Sequence, residues 1–95
     1  GGSGLDIGSG NGVFAKQIEL TTPTNVDCCD LNDAALRRHA RLRGKLYCYD
    51  ILERHPDLTG RYDHVFLMDV LEHVEHDQQF LSAAADHLAP GGTLY

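Results

Sequence analysis

The sequence predicts an α/β protein, a doubly wound and mostly parallel sheet with helices on both faces. Short apolar stretches alternate with segments of helical periodicity, the pattern of successive βαβ units with right-handed crossovers. A glycine-rich turn, Gly8-Ser9-Gly10-Asn11-Gly12, joins the first apolar stretch directly to an amphipathic one. A third run, Val65-Phe66-Leu67-Met68, is continuously apolar, as suits a parallel strand buried on both faces.

Leu5 to Ile7 is the visible part of strand 1. Asn11 to Leu20 forms the first helix, with Phe14 and Ile18 on one face and Lys16 and Glu19 pointing elsewhere. Thr21-Thr22-Pro23-Thr24 is a loop, because proline ends a helix. Asn25 to Asp30 is strand 2, with Val26, Cys28 and Cys29 as its apolar positions. Asn32 caps the next helix, Leu36 and Ala40 are its core positions, and Arg37, Arg38 and Arg41 complement its carboxyl end. Gly44 closes that helix or its turn.

Lys45 to Tyr49 is strand 3, ending at Asp50, and Ile51 to Arg61 is a loop broken by Pro56 and Gly60. Tyr62 to Asp69 is strand 4, and Val70 to His76 is a turn or helical stub. Asp77 caps a helix whose Phe80, Leu81, Ala84 and Leu88 recur at helical spacing. Ala89-Pro90-Gly91-Gly92 terminates it, and Thr93-Leu94-Tyr95 begins strand 5.

The 95 residues suit one small domain. Fourteen acids against eight bases disfavour a broad nucleic-acid-binding face. No apolar run reaches membrane-spanning length. Cys28, Cys29 and Cys48 form no C-x-x-C pair, and their apolar settings suggest buried, reduced thiols in a cytoplasmic compartment.

Glycines at alternate positions allow positive φ and close approach of a ligand to the main chain, and the helix that follows offers unpaired N–H groups. The spacing is Gly8, Gly10, Gly12, with Val13 where the dinucleotide fingerprint G-x-G-x-x-G wants glycine. Asp6 stands two residues before Gly8, inside an apolar strand. Asp30, Asp50 and Asp69 then end strands 2, 3 and 4. In an open parallel sheet, ligands bind outside the carboxyl ends of the strands at the switch in strand order, so these four carboxylates would line one edge. Carboxylates accept hydrogen bonds and oppose anions, which favours a ligand with a diol, an amine and a positive charge over one with phosphates. A nicotinamide-dependent oxidoreductase and a non-catalytic adenosyl-binding domain remain open as alternatives.

Leu5-Asp6-Ile7-Gly8-Ser9-Gly10-Asn11-Gly12 resembles motif I of the class I methyltransferases that use S-adenosylmethionine. Val26 to Leu31, Tyr62 to Val74 and Leu88 to Leu94 resemble their second strand, fourth-strand signature and Pro-Gly-Gly turn, so the resemblance covers nearly the whole chain. The Leu71-Glu72-His73-Val74 piece is similar to the branch containing the ubiquinone-biosynthesis O-methyltransferases.

The resemblance implies a Rossmann-like, three-layer αβα fold with strand order 3-2-1-4-5. It also implies a methyl transfer from S-adenosylmethionine to a small-molecule acceptor through oxygen, nitrogen or carbon. Gly8, Ser9 and Gly10 would then pass the methionine part of the cofactor, with Asp6 holding the loop. Asp30 would bind the ribose hydroxyls, and Leu31 would pack on adenine. Asp50 would meet the adenine amine, with Ile51 against the ring, and Met68 and Asp69 would lie near the transferred methyl. His73 or His76 would be the base for an oxygen nucleophile, although packing and capping suit them as well. Asp69, Glu72, His73 and His76 resemble a metal constellation of small-RNA terminal methyltransferases, but the further histidine that family needs is missing, so no metal is expected. Full members have seven strands, in the order 3-2-1-4-5-7-6. The chain is therefore expected to be part of a longer protein, binding the cofactor weakly by itself and transferring no methyl.

Overall fold

A computed structural model describes residues 2–10, 12–31, 34, 41–53, 55–68 and 78–95. Five parallel strands form one sheet in the order β3-β2-β1-β4-β5: β1 is Ser3–Ile7, β2 Asn25–Cys29, β3 Leu46–Tyr47, β4 Tyr62–Phe66 and β5 Leu88–Leu94. Helix α1 is Val13–Thr21 and helix α2 is Gln78–Ala85. The expected fold class and strand order are both present.

Alternation along the strands divides the core between the two faces. Val26 and Cys28 pack with Ala15 and Ile18 of α1 on one face. Leu5, Ile7, Cys29 and Val65 pack with Phe80, Leu81 and Ala84 of α2 on the other. Leu58, in the loop after β3, fills this second cluster and is fully buried. Among the described residues no helix is long and apolar enough to cross a membrane.

Several boundaries differ from the sequence reading. Strand β3 is only Leu46–Tyr47, and β4 stops at Phe66. Helix α2 ends at Ala85, and Leu88, expected on that helix, instead begins β5. The cause is backbone pairing: the His87 carbonyl accepts from the Arg61 and Tyr62 N–H groups, which draws the chain into the sheet. The Pro-Gly-Gly segment is thus a bulge inside β5, between the pairs Tyr62–Leu88 and His64–Thr93. Gly91 takes φ +80° there, a conformation that favours glycine. The expected cap Asp77, the stub Val70 to His76 and most of the helix after Asn32 lie outside the described residues.

Glu19, read as pointing away from the Phe14 and Ile18 face, is buried between α1 and the start of β2. Its carboxylate accepts from the backbone N–H groups of Val26 at 2.8 Å, Arg43 at 2.7 Å and Gly44 at 3.0 Å. The Arg43 guanidinium in turn donates to the carbonyls of Glu19, Thr22 and Thr24, closing the end of α1. Gly44 is required by proximity, since a Cβ there would stand 1.9 Å from the Val26 carbonyl oxygen.

Burial alone would raise the Glu19 pKa, but the three N–H donors and Arg43 outweigh it and hold the group below its usual value. A depressed folded-state pKa contributes stability above the unfolded value, and that stability is lost as pH falls through the folded value. Glu19→Gln should therefore cost about 1–3 kcal/mol in urea unfolding at neutral pH. The difference from the parent protein should shrink as the pH is lowered below the ordinary glutamate range. A variant equally stable at pH 7 would refute the role of this carboxylate.

Candidate cofactor site

The carboxyl ends of the three strands from β1 to β3 are level. Ile7 pairs with Cys29, and Cys29 with Tyr47, so the segments that follow leave the sheet along one edge. Strand order switches between β1 and β4, and such a switch opens a crevice at this edge. Asp6 pairs with Phe66, which brings Met68 out of the sheet level with Gly8.

Gly8, Gly10 and Gly12 have φ of +71°, +56° and +81°, so each of the alternate glycines occupies backbone space that favours glycine. Gly12 is the N-cap of α1, and its carbonyl accepts from Lys16 N–H. The turn is pinned to β2: the Cys29 carbonyl accepts from Gly8 N–H at 2.8 Å and Ser9 N–H at 3.3 Å. An added Cβ at Gly10 would meet nothing within 4 Å, which leaves room above the turn.

Asp30 closes the arrangement, its Oδ2 accepting from Gly10 N–H at 2.8 Å. Sequence positions twenty residues apart thus meet at one point. Leu31, beside it, is 69% exposed, and its carbonyl accepts from the Cys48 thiol at 3.7 Å. Asp50 lies three residues beyond the end of β3, in a turn where its Oδ1 accepts from Leu52 N–H at 2.9 Å. Ile51 is buried in the α2-side core. Asp6, between Leu5 and Ile7, lies on the α1 side of β1 and is fully buried, so it stands within the strand and not at its rim. Met68 is 44% exposed and lines an open apolar cleft of 390 Å³ with Phe14, Ile18, Phe66 and Tyr95. Asp69, Glu72, His73 and His76 lie outside the described residues.

The cysteines divide by position. Cys28 and Cys29 are buried, whereas Cys48, expected to be buried, is exposed just beyond the end of β3. Burial pushes the Cys29 thiol up to about 12, and burial with the neighbouring Asp6 charge raises Cys28 further, so neither is a nucleophile at neutral pH. Another buried acid was not anticipated. Asp27 accepts from the Tyr62 hydroxyl at 2.6 Å and from Lys45 N–H at 2.8 Å, tying β2 to β4 and to the approach to β3 away from the site. Its alternation onto the α2 face was the available signal.

Comparison with known families places this geometry. The profile described as "Methyltransferase domain" matches residues 5–94. The chain belongs to the methyltransferase domain family. The ubiquinone biosynthesis O-methyltransferase of Shewanella pealeana is 34% identical over 97 residues, covering 96% of this chain and 41% of that protein. Its Escherichia coli namesake is 32% identical, covering 96% of this chain and 40% of its own length. The methyltransferase domain therefore spans about two fifths of the curated relatives it matches. The Haemonchus contortus phosphoethanolamine N-methyltransferase 2, solved with S-adenosyl-L-methionine, superposes with a TM-score of 0.82 at 25% identity. That superposition covers 99% of this chain and 23% of the other.

The turn itself can be tested by Gly10→Ala. The new methyl has space, so only backbone strain opposes it, and about 1–2 kcal/mol of folding stability should be lost. Gly44→Ala has no such room and should cost more in the same urea titration.

Proposed function

We propose that this domain binds S-adenosylmethionine along the carboxyl edge of β1 to β3 and directs its methyl group to a small-molecule acceptor. The observation that carries the reading is the Asp30 carboxylate bonded to Gly10 N–H above a turn of positive-φ glycines. An anionic pyrophosphate seated there would face that carboxylate, whereas a ribose diol donates to it. Among the residues on this edge, Asp30 and Asp50 are acceptors suited to the ribose hydroxyls and the adenine amine. Exposed Leu31 offers an apolar face for the base. The turn at Gly8, Ser9 and Gly10 would hold the methionine part, with buried Asp6 fixing β1 behind it.

The cofactor supplies an activated methyl on a sulfonium centre. The protein's part is to align an acceptor behind that methyl and to exclude water. Met68 and Asp69 are assigned to that end of the site, with Met68 lining the apolar cleft. An oxygen acceptor needs a base, for which His73 and His76 are the candidates in the sequence. The family match and the relatives' shared chemistry support this reading over a nicotinamide site.

Calorimetry with S-adenosylhomocysteine should show binding, and calorimetry with NAD should show none. Asp30→Ala should weaken the homocysteine compound by about 1–3 kcal/mol, the cost of removing an acceptor from a paired donor. An unchanged dissociation constant would reject the ribose role, and tight NAD binding would reject the cofactor.

A further inference from the structure

Behind the cofactor edge, on the α2 face, runs a chain of hydrogen bonds that the proposed site does not use. His87 is buried, and its Nδ1 lies 2.8 Å from the Ala83 carbonyl, which can only accept. The neutral ring therefore carries its proton on Nδ1 and presents Nε2 as an acceptor. Tyr49 Oη stands 2.6 Å from that nitrogen and donates to it. Both donors point the same way, from Tyr49 through His87 to the last turn of α2.

The upstream member, Tyr49, immediately precedes Asp50. Strand β3 stops at Tyr47, so Asp50 is not held by the sheet ladder. Its turn is held by the Leu52 N–H bond at its own carboxylate, by Ile51 in the core, and by the Tyr49 side chain. Tyr49 and His87 are also in ring contact, and the His55 ring meets Tyr49 edge-on at 5.2 Å, which limits the phenol to one place.

We propose that His87 is a positioning residue for adenine recognition: by fixing the Tyr49 hydroxyl it sets the turn that aims Asp50 at the exocyclic amine. The proposal rests on the assignment of Asp50 made above and deepens it. It makes base discrimination, rather than affinity alone, depend on a side chain that touches no ligand.

The test compares S-adenosylhomocysteine with S-inosylhomocysteine, in which a carbonyl replaces the amine, by calorimetry on the intact protein. The parent protein should prefer the adenosyl compound by on the order of tenfold, since the inosyl base leaves Asp50 without its donor. His87→Phe should lower that preference to about twofold, and Tyr49→Phe should do the same, with no further fall in the double variant. His87→Gln keeps one donor for Ala83 and one acceptor for Tyr49, so it should restore the preference. Should His87→Phe not fold, Tyr49→Phe, which removes a single hydroxyl, gives the same reading. Equal weakening of both compounds, with the ratio intact, would mean that His87 serves only stability and would overturn the proposal. If Asp50→Ala abolishes the preference while His87→Phe and Tyr49→Phe retain it, the Asp50 assignment stands and the positioning role falls. If Asp50→Ala leaves the preference unchanged, both fall together.

Discussion

The buried carboxylate of Glu19 is the constraint on which the site depends. An ionised acid beneath a helix is costly unless it is fully hydrogen-bonded. Glu19 meets that demand by drawing three backbone N–H groups, at Val26, Arg43 and Gly44, onto one side chain of α1. Helix α1, the start of β2 and the approach to β3 are thereby fixed to a common point. With the end of α1 and the start of β2 set, the carboxyl ends of β1 to β3 are level, and they define the edge where Gly10 and Asp30 meet.

A division of labour among the acids follows. Glu19 and Asp27 are answered chiefly by backbone N–H groups and a tyrosine hydroxyl deep in the structure, and they serve the fold. Asp30 and Asp50 each accept from a backbone N–H of a turn beyond the strands, and they are the acids that the proposal gives to a ligand's donors. Asp6 belongs to the first group by burial and to the second by its neighbourhood, since it lies just behind the glycine turn. The same chemistry thus builds the scaffold and arms the rim, and depth decides which.

Much of this was legible in the chain. The alternation of apolar runs and helical segments carried the fold class, because each pattern matches only one backbone period. The glycines at positions 8, 10 and 12 carried the turn, because left-handed backbone costs other residues more. Element ends were less legible. Leu88 has the spacing of a helix residue, yet pairing of His87 with Arg61 and Tyr62 places it in β5. The Pro-Gly-Gly segment reads as a helix stop and is a bulge, because the stop had already been made at Ala85.

By itself the sequence determined the alternation of strands and helices and the glycine turn between β1 and α1, since both follow from residue type and spacing. Tertiary structure alone decided which acids are buried, that Glu19 turns inward, and that Tyr49 meets His87. The physical reason is that hydrogen-bond partners as far apart in sequence as Glu19 and Arg43, or Tyr49 and His87, leave no periodic trace. A side chain's worth as donor or acceptor is fixed by what folding brings beside it, and that lies beyond the reach of any local pattern.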